Sequence, residues 1–310
     1  MNETTRRILT TLANAGEKGL TSLGRAEGRQ LQLLPPARRT LTPWRRRPGR
    51  TTSDTTPPQD AYSTSWPHPV LVRNHLLGGT MSRPIDRQET ARLRALDPDI
   101  DTRARTIEAN REHTLRSLAD HGLAEQVIDL TTGVPAADVT RAAHVALAEI
   151  DPPVPVVYVV TDERLATATK ALTRDRPHVE TLVANPCDAR TVWEAVSGRG
   201  PHRPCRLIHP GRPVVLDALT ISDLVPDPRR LRTVLRAWRV TVQAGSVLLV
   251  ARSLDPALPD PLPIARRAGW HHRPGIAPPT PDTNTALDAQ VAALTTAPAA
   301  TRARHEMEDR

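Results

Sequence analysis

The chain has 310 residues, 38% of them hydrophobic, with 31 prolines and no phenylalanine. That length allows one large domain or two small ones, with enough chain to bury a sizeable core. The net charge is +8, but it is local: residues 1–60 carry 11 basic and 5 acidic side chains, and the remainder 31 and 29. The positive charge therefore sits in an N-terminal arm, and the rest of the chain is nearly neutral. Lysine occurs only at Lys18 and Lys170, so the charge is almost all arginine, an outcome of GC-rich coding whatever the function. Nucleic acid is a candidate partner for the arm alone. Cys187 and Cys205 lack metal-ligand spacing and make no disulfide framework, which fits a reducing cytoplasm. No run of 18 apolar residues occurs, so no membrane span is expected. The N-terminus has no apolar stretch of the secretory kind.

Residues 1–65 read as a basic, proline-rich leader, largely disordered. Ile8, Leu9, Leu12 and Ala13 fall at helical spacing, and the Gly16–Thr21 turn that follows is reminiscent of a winged-helix opening. Pro35-Pro36 and the Thr/Ser/Pro run to Pro58 do not continue it. From Trp66 the pattern changes. Pro67 to Gly79 is a short apolar segment ending in a glycine pair. Arg103 to His121 is expected to be a helix with Ile107, Leu115 and Leu118 inward, stopped by Gly122. Val127 to Leu130 reads as a buried strand and Ala136 to Ile150 as a helix. Val156–Val160 is β-branched and uncharged, as central parallel strands are. Glu163–Arg174 is helical, Val179–Val183 a strand, and Asp188–Val196 a helix. Pro213–Leu216 is a fourth strand. Pro228–Val242 is an amphipathic helix with Leu231, Val234, Leu235 and Trp238 on one face, and Ser246–Ala251 is a fifth strand. Trp193 and Trp238 are expected in the core. Strands alternating with helices predict a Rossmann-like, doubly wound, mostly parallel α/β sheet with helices on both faces. The domain is expected over 66–276, and 277–310 as a tail with a short helix.

In such a sheet a ligand binds beyond the carboxyl ends of the strands, where the strand order reverses. The turn after the first strand, Asp129-Leu-Thr-Thr-Gly133, has one glycine and an acid. A dinucleotide site would want G-x-G-x-x-G, and Asp129 would repel a pyrophosphate. An acid there suits a cofactor with positive charge near the turn. Asp162, after the second strand, is placed to accept hydrogen bonds from ribose hydroxyls. Taken alone, an acid and a glycine at a strand end are equally the makings of an ordinary turn. The adjacent His271 and His272 point opposite ways on an extended segment and do not make a metal site.

The ordered set of segments resembles a poorly characterised family of S-adenosyl methyltransferases common in GC-rich bacteria. Those chains open with a pattern like HPARVYDYLLGG, where this one has His68-Pro-Val-Leu-Val-Arg-Asn-His-Leu-Leu-Gly-Gly79. Their ENR element is here Ala109-Asn110-Arg111. Their LDIGTGLPT is Ile128 to Ala136, their VVYVDNDP is Val156 to Glu163, and their RPVALLLVAVLHFVPD is Arg212 to Asp227. A late G-x-x-x-x-P-G element survives from Gly269 to Gly275. The resemblance covers about 200 residues in order. It implies S-adenosylmethionine as cofactor, in-line transfer of its methyl group, and an unknown methyl acceptor.

By the same resemblance, Asp129, Thr131, Gly133, Asp162, Asn185, Asp188, Asn110 and Arg111 would line the cofactor site. Asp223 and Asp217 would stand on the acceptor side. The chain departs from the pattern in several places. Thr131 replaces a glycine, so a β-carbon stands where backbone approaches the cofactor. Val160 replaces an acid, Asn185 replaces the acid that meets the adenine amino group, and Asp223 replaces a histidine. The stretch from Leu254 to Ala268 is short for the family, which implies the loss of a helix and part of the acceptor wall. Three functions follow: a methyltransferase, including one of reduced activity; a methyltransferase-like binding module without turnover; and a DNA-binding regulator acting through the leader.

Overall fold

The computed structural model describes residues 66–131, 142–161, 163–198, 207–272 and 291–296. The leader, the first half of the expected Ala136–Ile150 helix, Gly133 and Asp162 lie outside the described residues. Helices α1 (Pro69–Leu76), α2 (Pro84–Leu96) and α3 (Ile100–Asp120) precede β1 (Val127–Asp129). After β1 come α4 (Ala143–Ala146), β2 (Val156–Val160), α5 (Glu163–Leu172), β3 (Val179–Val183) and α6 (Ala189–Val196). The chain continues through β4 (Val215–Asp217), α7 (Ile221–Leu224), α8 (Pro228–Thr241), β5 (Val247–Ala251) and α9 (Pro261–Arg267). Strands β6 (His271–His272) and β7 (Val291–Thr295) follow.

Among the described residues the strands form one sheet in the order β3-β2-β1-β4-β5-β7-β6. The first five run parallel, β7 lies antiparallel to β5, and β6 antiparallel to β7. The chain winds outward from β1 through β2 to β3, then returns to lay β4 on the other side of β1. The order reverses there, so the switch point lies between the carboxyl ends of β1 and β4.

The strands are apolar on both faces because both are covered. Val127, Val156, Val215 and Val247 pack with α1, α2, α3 and α5. Their neighbours Ile128, Val157, Leu216 and Leu248 pack with α6, α8 and α9. Local chemistry fixes the helix ends. Asp227 caps α8 by accepting from the N–H groups of Arg229 (3.0 Å) and Arg230 (2.9 Å), with Pro228 in the first turn. Gly122, at φ +66°, follows the C-terminus of α3. Trp238 is fully buried, and its indole N–H reaches the Pro186 carbonyl at 2.9 Å, tying α8 to the β3–α6 loop. Trp193 is also buried.

Several segments differ from the sequence expectation. The apolar segment before Gly78-Gly79 is the helix α1. The stretch from Leu254 to Ala268, read as short for the family, holds a helix that the sequence reading does not single out, α9, capped by Asp260, which accepts from Leu262 N–H at 2.9 Å. Residues 291–295, expected in a tail with a short helix, are instead the strand β7, inserted between β5 and β6. Four apolar residues and a threonine carry no periodicity that separates strand from helix. Pairing with β5, some 40 residues earlier in the chain, decides it.

Candidate functional site

Asp129 is the last residue of β1 and Asp217 the last of β4, and the parallel register sets them side by side. Both are fully buried. Two carboxylates so placed repel each other and lose their hydration. Arg111, on α3, answers both. Its Nη2 donates to Asp129 Oδ2 at 2.6 Å and its Nε donates to Asp217 Oδ2. Glu108, one turn back on α3, lies 3.6 Å from Arg111 Nη1. Arg111 is itself 2% exposed. Burial pushes both aspartates above the usual carboxylate range, and the Arg111 charge opposes that without cancelling it. Burial also opposes the charge on Arg111, but Asp217, Asp129 and Glu108 hold its proton more firmly than in water.

Thr131 completes the turn. Its backbone N–H donates to Asp129 Oδ1 at 2.8 Å, and its hydroxyl donates to the same oxygen. The sequence showed a β-carbon in the place of a glycine; the structure adds a hydroxyl bound to the acid beside it. Both oxygens of Asp129 are thus engaged within the chain.

Above this cluster opens a cleft of about 610 Å³, mouth included, between α1, α3 and α5. Its wall includes Arg73 and Asn74 from α1, Glu108 and Arg111 from α3, Thr131 after β1, and Leu219 after β4. Its position suits a small-molecule site. Arg73 Nε donates to Glu108 Oε1 at 2.9 Å, with side chains 12% and 7% exposed.

Helix α1 is held over the strand ends by buried polar contacts. The His68 N–H donates to Asp86 Oδ1 at 2.8 Å, and His68 Nε2 lies 3.1 Å from the hydroxyl of Thr161, the residue after β2. Burial raises the Asp86 carboxyl, but hydrogen bonds from the Arg83 side chain and from the His68 and Arg83 backbones outweigh it and hold the acid ionised. The glycine pair has a steric reason at Gly79: a β-carbon there would lie 2.3 Å from Asn74 Oδ1.

The remaining expected site residues fall in different places. Asp223, on α7, is half-buried and accepts from the Ser253 hydroxyl after β5. Burial lifts its carboxyl to about 6, against the pull of Ser253 and Arg73. Asn185 is in the loop after β3 and accepts from Cys187 N–H at 3.0 Å. Asp188 caps α6, accepting from the Thr191 N–H (3.1 Å) and hydroxyl (2.7 Å). Asn110 is buried within α3, and its carbonyl accepts from the Thr114 hydroxyl at 2.7 Å. Arg73, Asn74 and Glu108 were not anticipated. Arg73 and Asn74 lie inside the quoted opening pattern and Glu108 beside the ENR element, but the motifs alone did not say which of their side chains face a cleft.

A family model described as S-adenosyl methyltransferase matches residues 55–266. The chain belongs to this family. It is an S-adenosylmethionine-dependent methyltransferase, and its reaction requires a methyl acceptor. No curated protein matches the chain. Among solved structures it is similar to a candidate methyltransferase from Thermobifida fusca YX: 21% identity, TM-score 0.59, over 78% of this chain and 99% of that one. It is also similar to a DUF574 family protein from Streptomyces avermitilis MA-4680: 17% identity, TM-score 0.58, over 75% and 98%. These likenesses bear out the Rossmann-like fold. Among the described residues, no helix of the methyltransferase is long and apolar enough to cross a membrane, and no cluster of His, Cys, Asp and Glu is arranged to hold a metal ion.

Proposed function

We propose that the methyltransferase binds S-adenosylmethionine in the cleft above Asp129 and Asp217, and that the acceptor approaches from the side of α7 and Asp223. The observation that carries this reading is the coincidence of the cleft with the switch point, its wall including Thr131 and Leu219 from just beyond β1 and β4. The charge inventory fits the ligand. Three acids, Glu108, Asp129 and Asp217, face two cations, Arg73 and Arg111, and Asp217 Oδ1 is buried with no hydrogen-bond partner among the described residues. A ligand that carries net positive charge would favour the ionised form of these aspartates, whose carboxyls burial otherwise raises.

When bound, the cofactor supplies a methyl group on a positively charged sulfur, open to attack by a nucleophile. Arg111 holds Asp129 and Asp217 in one geometry, so neither acid has to reorganise as a ligand enters. Asp223, with a carboxyl lifted to about 6, is mostly ionised at pH 7 and can take the proton that an acceptor gives up. The Ser253 hydroxyl fixes its orientation. Helix α1, clamped through His68 and Asp86, forms one wall of the cleft. We place the protein in the cytoplasm on its cysteine usage; Cys187 is a free thiol.

A second reading is favoured by one observation. Arg111 and Thr131 together engage both oxygens of Asp129, which suits a binding module whose turnover has declined. Titration calorimetry with S-adenosylmethionine and its demethylated product, followed by an assay for methyl loss from the cofactor with candidate acceptors, separates the readings. Binding with turnover supports the enzyme, and binding without it supports the module. Absence of binding at millimolar ligand rejects both.

A further inference from the structure

Arg73 projects from α1 into the cleft wall. Its Nε is engaged by Glu108 at 2.9 Å. Its Nη2 is buried and has no hydrogen-bond partner among the described residues. A buried guanidinium N–H without an acceptor is costly and rarely left so. The other cation of the cleft, Arg111, is already bound to Asp129 and Asp217. An anionic group entering the cleft is therefore met by Arg73.

We propose that Arg73 receives the α-carboxylate of S-adenosylmethionine, with Glu108 beside it turned toward the adjoining ammonium group. The proposal rests on the cleft being the cofactor site. Arg73 and Glu108 set a cation and an anion side by side, and an α-amino-acid group sets an anion and a cation side by side. Laid against each other, each charge meets its opposite. Carboxylate is the better partner for Nη2, because the planar guanidinium presents its N–H groups in a fork that two carboxylate oxygens match. The family pattern HPARVYDYLLGG places tyrosine at this position, so the charge at residue 73 is a feature of this chain.

Decarboxylated S-adenosylmethionine keeps the sulfonium, ribose, adenine and ammonium, and lacks only the carboxylate. It is the probe. Calorimetric titration of the full-length protein with both ligands gives the ratio of their dissociation constants, which is insensitive to losses shared by the two. Wild type is expected to prefer S-adenosylmethionine by about ten- to a hundred-fold, the range of a charge-assisted hydrogen bond. In Arg73→Met the preference falls to about threefold or less, while affinity for the decarboxylated compound stays within about threefold of wild type. Arg73→Lys restores part of the preference. If Arg73→Met leaves too little folded protein, the Arg73→Met/Glu108→Gln pair, which strands no buried carboxylate, is expected to show the same collapsed preference. A preference in these variants equal to that of wild type, or no preference in wild type, overturns the assignment of Arg73. Failure of wild type to bind either ligand at millimolar concentration instead removes the cofactor site itself, a different result from binding without discrimination.

Discussion

Arg111→Met is the most informative single change to the fold. It removes a guanidinium bonded to both Asp129 and Asp217, at 2.6 Å in the Asp129 contact, and leaves two fully buried carboxylates side by side. Breaking a buried pair from one side costs about 3–5 kcal/mol. In a domain of this size each kcal/mol moves Tm by about 2–4 °C, so the expected fall at pH 8 is about 6–20 °C. The loss depends on pH in a definite direction. Both aspartates have raised pKa values when folded, so the folded chain binds their protons more tightly than the unfolded chain. The stability they contribute is present at low pH and declines as pH rises above about 4. Without Arg111 their pKa values rise further, so a larger share of the pair is protonated at pH 5 than at pH 8 and the cost of burying charge is smaller there. The Tm deficit of the variant at pH 5 is therefore expected to be about half that at pH 8, or less. Differential scanning fluorimetry at the two pH values measures this. A deficit equal at both, or below about 2 °C at pH 8, refutes the description of Arg111 as the counter-charge of the pair.

Three further outcomes are expected. Thr131→Gly should tighten S-adenosylmethionine binding several-fold, because it removes the β-carbon from the cleft wall, while Thr131→Val, which keeps the β-carbon and replaces the hydroxyl by a methyl, should not; calorimetry compares them, and no gain in the glycine variant refutes the steric part. Asp223→Asn should flatten the dependence of Tm on pH between about 4 and 6, because the raised pKa of Asp223 makes the folded state lose stability as pH rises through that window; an unchanged slope counts against it. Gly79→Ala should cost about 1–3 kcal/mol in denaturant unfolding by driving a β-carbon into the Asn74 side chain; full stability would mean that Asn74 swings aside freely.

The central strands and the amphipathic α8 were legible because their signals are local. Val156–Val160 and Val179–Val183 are the observed β2 and β3, each a short run flanked by turn residues. Helix α2 is not legible because its buried positions include Asp86 and Thr90 as well as Leu93, so the stripe does not look apolar. Helix α9 was hidden by Pro261 and Pro263, of which the first is a good N-terminal residue for a helix. Strand β7 has meaning only through its pairing with β5.

The site divides along the same line. Asp129 and Thr131 could be placed from the strand end alone. The role of Arg111 could not, since its partners are 18 and 106 residues away in the chain. A signal was nonetheless present. Asp129 and Asp217 each lie at the end of a short apolar run, and two acids that a sheet brings together out of water require a cation.

The most direct test of the cofactor site is a crystal structure of the full-length protein with S-adenosylhomocysteine. The ligand is expected in the cleft between α1, α3 and α5, touching Thr131 and Leu219, with its amino-acid end at Arg73 and Glu108. Ordered ligand bound elsewhere, with this cleft filled only by solvent, would contradict it.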